Sequence, residues 1–233
     1  MVLNSIRNFG RKIYSGLQRG GRNVLRGLVP SLKNKQSDLN ENQKLALFFS
    51  NQAYQDRNNR RGINNYQYVD NLSSIYEAVF INSNQKIIYI AFRGTKPTDI
   101  NDLSEDIQIV AQDLGKSNFK SISQRIRRGK ELIDKLRTSY RDHQIKLTGH
   151  SLGGRISNEL GRSNNLRSIS FNAGGLDIMG NLTDRLRGRD NIEQITSGRD
   201  IISLGSILSP YTTIFKNPNI RNPLKTHSLS YFQ

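Results

Sequence analysis

Hydrophobic and polar positions fall into two regimes along the chain. At about 100° per residue, Ile6, Phe9, Ile13 and Leu17 form a narrow apolar stripe, with Arg7, Arg11 and Lys12 on the opposite side. Gly20-Gly21 interrupts this pattern, Val24, Leu25 and Leu28 resume it, and Pro30 ends it. The spacing predicts a basic amphipathic helical arm over residues 1–37. From about residue 40 the pattern turns globular. Asn40 caps a helix that carries Leu45, Leu47 and Phe48. Residues 57–66, rich in Arg and Asn, read as a loop. Two β-rich runs, Ile75 to Ile81 and Lys86 to Phe92, flank Asn82-Ser83-Asn84-Gln85 and predict a hairpin. The second run is almost continuously apolar, the mark of a strand covered on both faces. Ile122, Ile126, Ile133 and Leu136 recur at helical spacing, and the Lys and Arg between them read as a solvated face. A strand from Gln144, a helix through Ile156 and Leu160, and strands over Arg167 to Asn172 and Ile192 to Thr196 follow. Strands alternating with helices predict an α/β fold with a mostly parallel central sheet flanked by helices, over residues 38–233.

Composition narrows the chemistry. The 233 residues include no cysteine and three histidines, which excludes disulfides, thiolate metal sites and a cysteine nucleophile; no cofactor or metal is expected. No apolar run approaches the roughly 20 residues of a membrane span, and no secretory signal stands at the N-terminus. The net charge is +16. Half of it sits in the first 37 residues, which hold eight Lys and Arg and no acid. A basic helix with an apolar stripe suits an anionic membrane surface. A transit peptide and a nucleic-acid-binding arm share the same composition and stay open as alternatives.

Gly149-His150-Ser151-Leu152-Gly153 has the Gly-x-Ser-x-Gly form, with an apolar strand before it and helix formers after it. A serine on so sharp a turn is lifted clear of the sheet, and Gly149 and Gly153 give the room that the turn needs. A serine hydroxyl attacks only when a base takes its proton. Of the three histidines, His150 lies within the turn with its side chain expected to point away from Ser151. His143 begins the strand and so lies near the opposite sheet edge. His227 is left as the base. The acid lies between the two, and Asp200, directly after the strand over Ile192 to Thr196, is the first candidate, with Asp177 the alternative. Asp184 and Asp190 stand in an Arg-rich stretch suited to surface pairing. For the oxyanion, Leu152 offers one backbone amide and Thr95, in the loop after Ala91-Phe92-Arg93-Gly94, a second. Arg93 reads as a structural brace.

These residues resemble the class 3 lipase family of α/β-hydrolases. The resemblance rests on the run Ile145 to Gly154, on Ala91-Phe92-Arg93-Gly94-Thr95, on Phe171-Asn172-Ala173-Gly174-Gly175 and on Thr226-His227-Ser228-Leu229. It spans roughly residues 40–233 and implies a triad of Ser151, Asp200 and His227, oxyanion donors at Thr95 and Leu152, and metal-free hydrolysis of acylglycerols or phospholipids. The chain departs from the family in having no tryptophan and in an acidic stretch over Asn101 to Gly115, where the family carries a long apolar lid. Phospholipid and small-ester substrates are therefore expected as readily as triglyceride. The 25 asparagines suit an AT-rich genome, such as that of a large DNA virus or an intracellular eukaryote. Two other readings remain: a non-catalytic membrane- or nucleic-acid-binding protein on the same fold, and a triad enzyme acting on thioesters or amides.

Overall fold

The computed structural model describes residues 35–95, 118–174, 190–197, 211–217 and 227–233. The arm residues Ile6, Arg7, Phe9, Arg11, Lys12, Ile13 and Leu17, the stretch 101–115, and Asp177, Asp184 and Asp200 lie outside the described residues.

The elements in chain order are β1 (Lys35–Gln36), α1 (Glu41–Tyr54), β2 (Gln67–Tyr68), β3 (Glu77–Asn82), β4 (Ile87–Phe92), α2 (Asn118–Ser139), β5 (Gln144–His150), α3 (Leu152–Asn164), β6 (Arg167–Phe171), β7 (Ile192–Thr196) and β8 (Thr212–Phe215); a 3-10 turn, Leu229–Phe232, follows. Together the strands form one sheet in the order β1-β8-β7-β6-β5-β4-β3-β2. From β4 through β8 to β1 every pairing is parallel; β3 and β2 join as an antiparallel edge. The hairpin and the parallel strands match the pattern read from the sequence. β1 takes Lys35 and Gln36 into the sheet, on the arm side of the boundary expected at residue 37, because they pair with Ile214 and Phe215 of β8.

Both faces of the sheet are covered, and the strands alternate between them. Tyr89 and Ala91 of β4 face a cluster with Phe49, Phe80, Phe171 and Phe232, while Ile88, Ile90 and Phe92 face Ile133, Leu136, Ile156 and Leu160. Helix α1 therefore packs on one side, and α2 and α3 pack on the other. Phe49 anchors the first face, stacked on Phe80 with ring centroids 4.4 Å apart. α1 begins with a capping box: Asn40 Oδ1 accepts the Gln43 amide at 3.0 Å and Gln43 Oε1 accepts the Asn40 amide at 2.9 Å.

Two basic residues depart from the sequence expectation. Arg60, in the loop read over 57–66, is buried and donates to the carbonyls of Gln55, Ser74, Glu77 and Ala53, pinning that loop to the start of β3. Arg125 does not share the solvated face of α2. It is buried, and Gly129, Ile133 and Leu136 continue its stripe along the helix.

Candidate active site

In a parallel sheet the loops that leave the carboxyl ends of adjacent strands converge at one edge. Here the ends of β4, β5, β6 and β7 are neighbours, and they deliver Gly94, Ser151, Asn172 to Gly174, and Ser197 respectively.

Ser151 sits between β5 and α3 at φ 54° and ψ −127°, a left-handed conformation that side chains rarely adopt. Short main-chain bonds hold it there: its amide donates to Phe171 O at 3.1 Å, and its carbonyl accepts the amide of Gly174 at 2.9 Å. The flanking glycines are needed for close packing. A Cβ on Gly149 would lie 2.5 Å from the carbonyl of Gly153, and one on Gly153 would collide with the Phe92 carbonyl at the end of β4. Leu152 opens α3, so its amide belongs to the first turn, whose N–H groups have no partner within the helix.

His227 is the histidine that reaches the serine. Its Nε2 lies 3.0 Å from Ser151 Oγ, and the residue is 6% exposed. With the hydroxyl donating, Nε2 is the acceptor and the ring proton rests on Nδ1. His143 lies at the far end of β5 beside Asp142, its Nδ1 2.8 Å from Oδ1, as the strand length required. His150 turns its ring toward His227, with centroids 4.8 Å apart. Its Nε2 lies 2.5 Å from the His227 carbonyl and its Nδ1 2.9 Å from the Tyr54 hydroxyl.

The loop after β4 lies directly against the serine. A Cβ on Gly94 would sit 3.3 Å from Ser151 Cβ and 2.7 Å from the His150 carbonyl, and exposed Thr95 follows it. A second brace on this loop is Arg125, which the sequence did not single out. Its guanidinium donates to the Arg93 carbonyl and lies 5.1 Å from the ring of Tyr76, while Arg128 stands 5.3 Å from the same ring. Burial pulls the pKa of Arg125 down from its ordinary value. Arg93 braces the loop as well: its amide donates to Tyr76 O at 2.9 Å and its guanidinium to Ile75 O at 3.5 Å. Asn172, at φ 42°, donates from Nδ2 to the His227 carbonyl at 3.1 Å and accepts the Ser197 amide on Oδ1 at 2.9 Å. No local pattern marks Tyr54 or Arg125, since each acts on a partner remote in sequence; Asn172 stands in the block Phe171 to Gly175, but its contact with His227 is not written there. Among the described residues no group of three His, Cys, Asp or Glu could hold a metal ion.

A hydroxyl on a strained turn, bonded to an imidazole at an edge beside the first-turn amide of Leu152, can transfer an acyl group. Several solved structures are similar to this chain. Lipase II from Rhizopus niveus matches at 16% identity and a TM-score of 0.49, over 71% of this chain and 73% of its own. The lipase from Rhizopus microsporus var. chinensis matches at 16% and 0.45, over 73% and 77%. The mono- and diacylglycerol lipase from Aspergillus oryzae matches at 17% and 0.40, over 75% and 77%. No curated protein sequence matches the chain. A phospholipase-like family model, the Tle-like phospholipase domain, matches residues 50–197, a span that runs from α1 through the elbow to the end of β7. The chain belongs to this phospholipase-like family, and it is a lipid ester hydrolase.

Proposed function

We propose that the chain hydrolyses carboxylic esters of phospholipids or acylglycerols through a triad of Ser151, His227 and Asp200 and an acyl-enzyme. The 3.0 Å contact between Ser151 Oγ and His227 Nε2 carries this reading. Ser151 Oγ attacks the ester carbonyl carbon while His227 Nε2 takes its proton. The resulting oxyanion is held by the amides of Thr95 and Leu152. Collapse breaks the bond to the alcohol, which leaves with the proton from His227, and water then attacks the acyl-serine with His227 again as base. Asp200 holds His227 in the tautomer with its proton on Nδ1. It stands three residues beyond Ser197, within about 10 Å by chain length, and Ser197 is bound to the asparagine that holds the His227 carbonyl.

The test compares Ser151→Ala, Asp200→Asn and Asp177→Asn with the wild type on p-nitrophenyl esters and phospholipid vesicles. The expected losses are about 10⁴-fold or more in kcat for the first two. Asp177→Asn is expected to stay near wild type. Equal rates for Ser151→Ala and wild type overturn the mechanism, and loss in Asp177→Asn alone moves the acid to Asp177. The basic arm concentrates the enzyme on anionic bilayers. A chain lacking residues 1–34 is expected to lose co-sedimentation with phosphatidylserine vesicles while keeping its rate on soluble esters. Undiminished vesicle binding rules out the arm as anchor.

A further inference from the structure

The side chain of His150 ends β5 one residue before the nucleophile, is 7% exposed, and has partners on both ring nitrogens. A carbonyl only accepts, so the Nε2 that lies 2.5 Å from the His227 oxygen carries the proton. In a neutral ring the lone pair then lies on Nδ1, where the Tyr54 hydroxyl, 2.9 Å away, can donate to it. The His227 carbonyl takes its second bond from Asn172 Nδ2. At the other end, the Tyr54 hydroxyl packs so tightly on Gly94 that a Cβ there would collide with it. A continuous line of contacts therefore runs from the loop after β4, through Tyr54 and His150, to the backbone of His227.

We propose that His150, kept in one tautomer by Tyr54, is a positioning residue that grips the His227 carbonyl and so aims the His227 imidazole at Ser151. The inference rests on the Ser151–His227 mechanism proposed above. The imidazole is carried on two rotatable bonds, so its aim depends on where the backbone of residue 227 is held. A shift of about 1 Å would take Nε2 out of hydrogen-bond range of Oγ. Such a misplacement costs on the order of 100-fold in rate. The tautomer matters as well. A second imidazolium with its ring 4.8 Å away would oppose the positive charge that His227 gains in the transition state, and the Tyr54 proton occupies the nitrogen that would otherwise be protonated.

The test measures kcat and KM on soluble p-nitrophenyl butyrate for His150→Leu, His150→Gln and Tyr54→Phe, with Ser151→Ala as reference and thermal midpoints recorded throughout. His150→Leu is expected to lose on the order of 100-fold in kcat at unchanged KM. His150→Gln, whose amide N–H can reach the same carbonyl, is expected to recover about tenfold of that loss. Tyr54→Phe is expected to lose about tenfold in kcat, again with KM unchanged. Wild-type kcat in His150→Leu, or equal losses in the Leu and Gln variants, overturns the grip. Should His150→Leu fail to fold, Tyr54→Phe decides, and wild-type kcat in that variant overturns the proposal. A wild-type rate in Ser151→Ala overturns the underlying mechanism instead, so the two failures are distinguishable.

Discussion

Ser151 holds a backbone conformation, φ 54° and ψ −127°, that the turn between β5 and α3 imposes and that its own side chain resists. Strain of this kind costs about 1–3 kcal/mol. Glycine relieves it but loses about 0.4–1 kcal/mol through the greater freedom of its unfolded chain. Ser151→Gly is therefore expected to be about 1 kcal/mol more stable than Ser151→Ala, both being inactive. Urea midpoints at constant m-value decide it, and an equal or more stable alanine variant shows the elbow to be relaxed. Tyr89 makes a second prediction. It is 1% exposed, and its hydroxyl has no hydrogen-bond partner among the described residues. Removing an unpaired buried hydroxyl is neutral or stabilising, so Tyr89→Phe is expected to change stability by between zero and about +1 kcal/mol. A clear loss in the urea midpoint would show that the hydroxyl is satisfied by bound water. The pair that meets at 3.0 Å was legible at this scale: Ser151 from its glycines, and His227 because His143 and His150 could be set aside. The contacts of His150 were not legible. A histidine inside the elbow gives no local sign of what its ring meets, and the carbonyl it meets lies 77 residues away.

At the scale of elements, signals contained within a few consecutive residues were read well and those that depend on distant pairing were not. The cap of α1 is an example of the first kind. Asn40 and Gln43 bond each other's backbones, so Asn40→Ala is expected to cost about 1 kcal/mol in thermal or urea unfolding. Gln43→Ala is expected to cost more. Its side chain also accepts from Gln36 at 3.1 Å and donates to Glu193 at 2.5 Å, so it ties β1 and β7 to the helix. Equal costs for the two variants would mean that these longer links contribute nothing. β7 was legible because Ile192 and Ile195 mark a strand long enough to show a pattern. β1 and β2, of two residues each, cannot show one, and β8 takes its form from pairing with β7 and β1. The buried place of Arg125 was hidden for a related reason. Helical spacing counts apolar positions, whereas this arginine faces inward to meet the Arg93 carbonyl and the ring of Tyr76.

For the whole molecule, stability is expected to turn on two tyrosines at high pH. Burial raises the pKa of both Tyr54 and Tyr89 above the ordinary value of 10.0. The folded chain thus keeps protons that the unfolded chain releases, so stability is level below about pH 10 and falls as pH rises beyond it. Urea midpoints measured from pH 8 to 11 are expected to drop only in the upper part of that range, and less steeply in Tyr89→Phe. A midpoint flat to pH 11 would count against buried, protonated phenols. By itself the sequence determined the class of fold, the elbow, the order of serine before histidine, and the sharing of the charge between arm and domain. Each of these is written in contiguous residues, where periodicity, turn chemistry and composition act locally. Only the tertiary structure decided that His150, itself bonded to Tyr54, and Asn172 meet on the carbonyl of His227, and that Arg125 joins Arg93 in bracing the loop beside the serine. Those contacts join segments as far as 96 residues apart, and hydrogen-bond geometry across adjacent strand ends exists only once the sheet has formed.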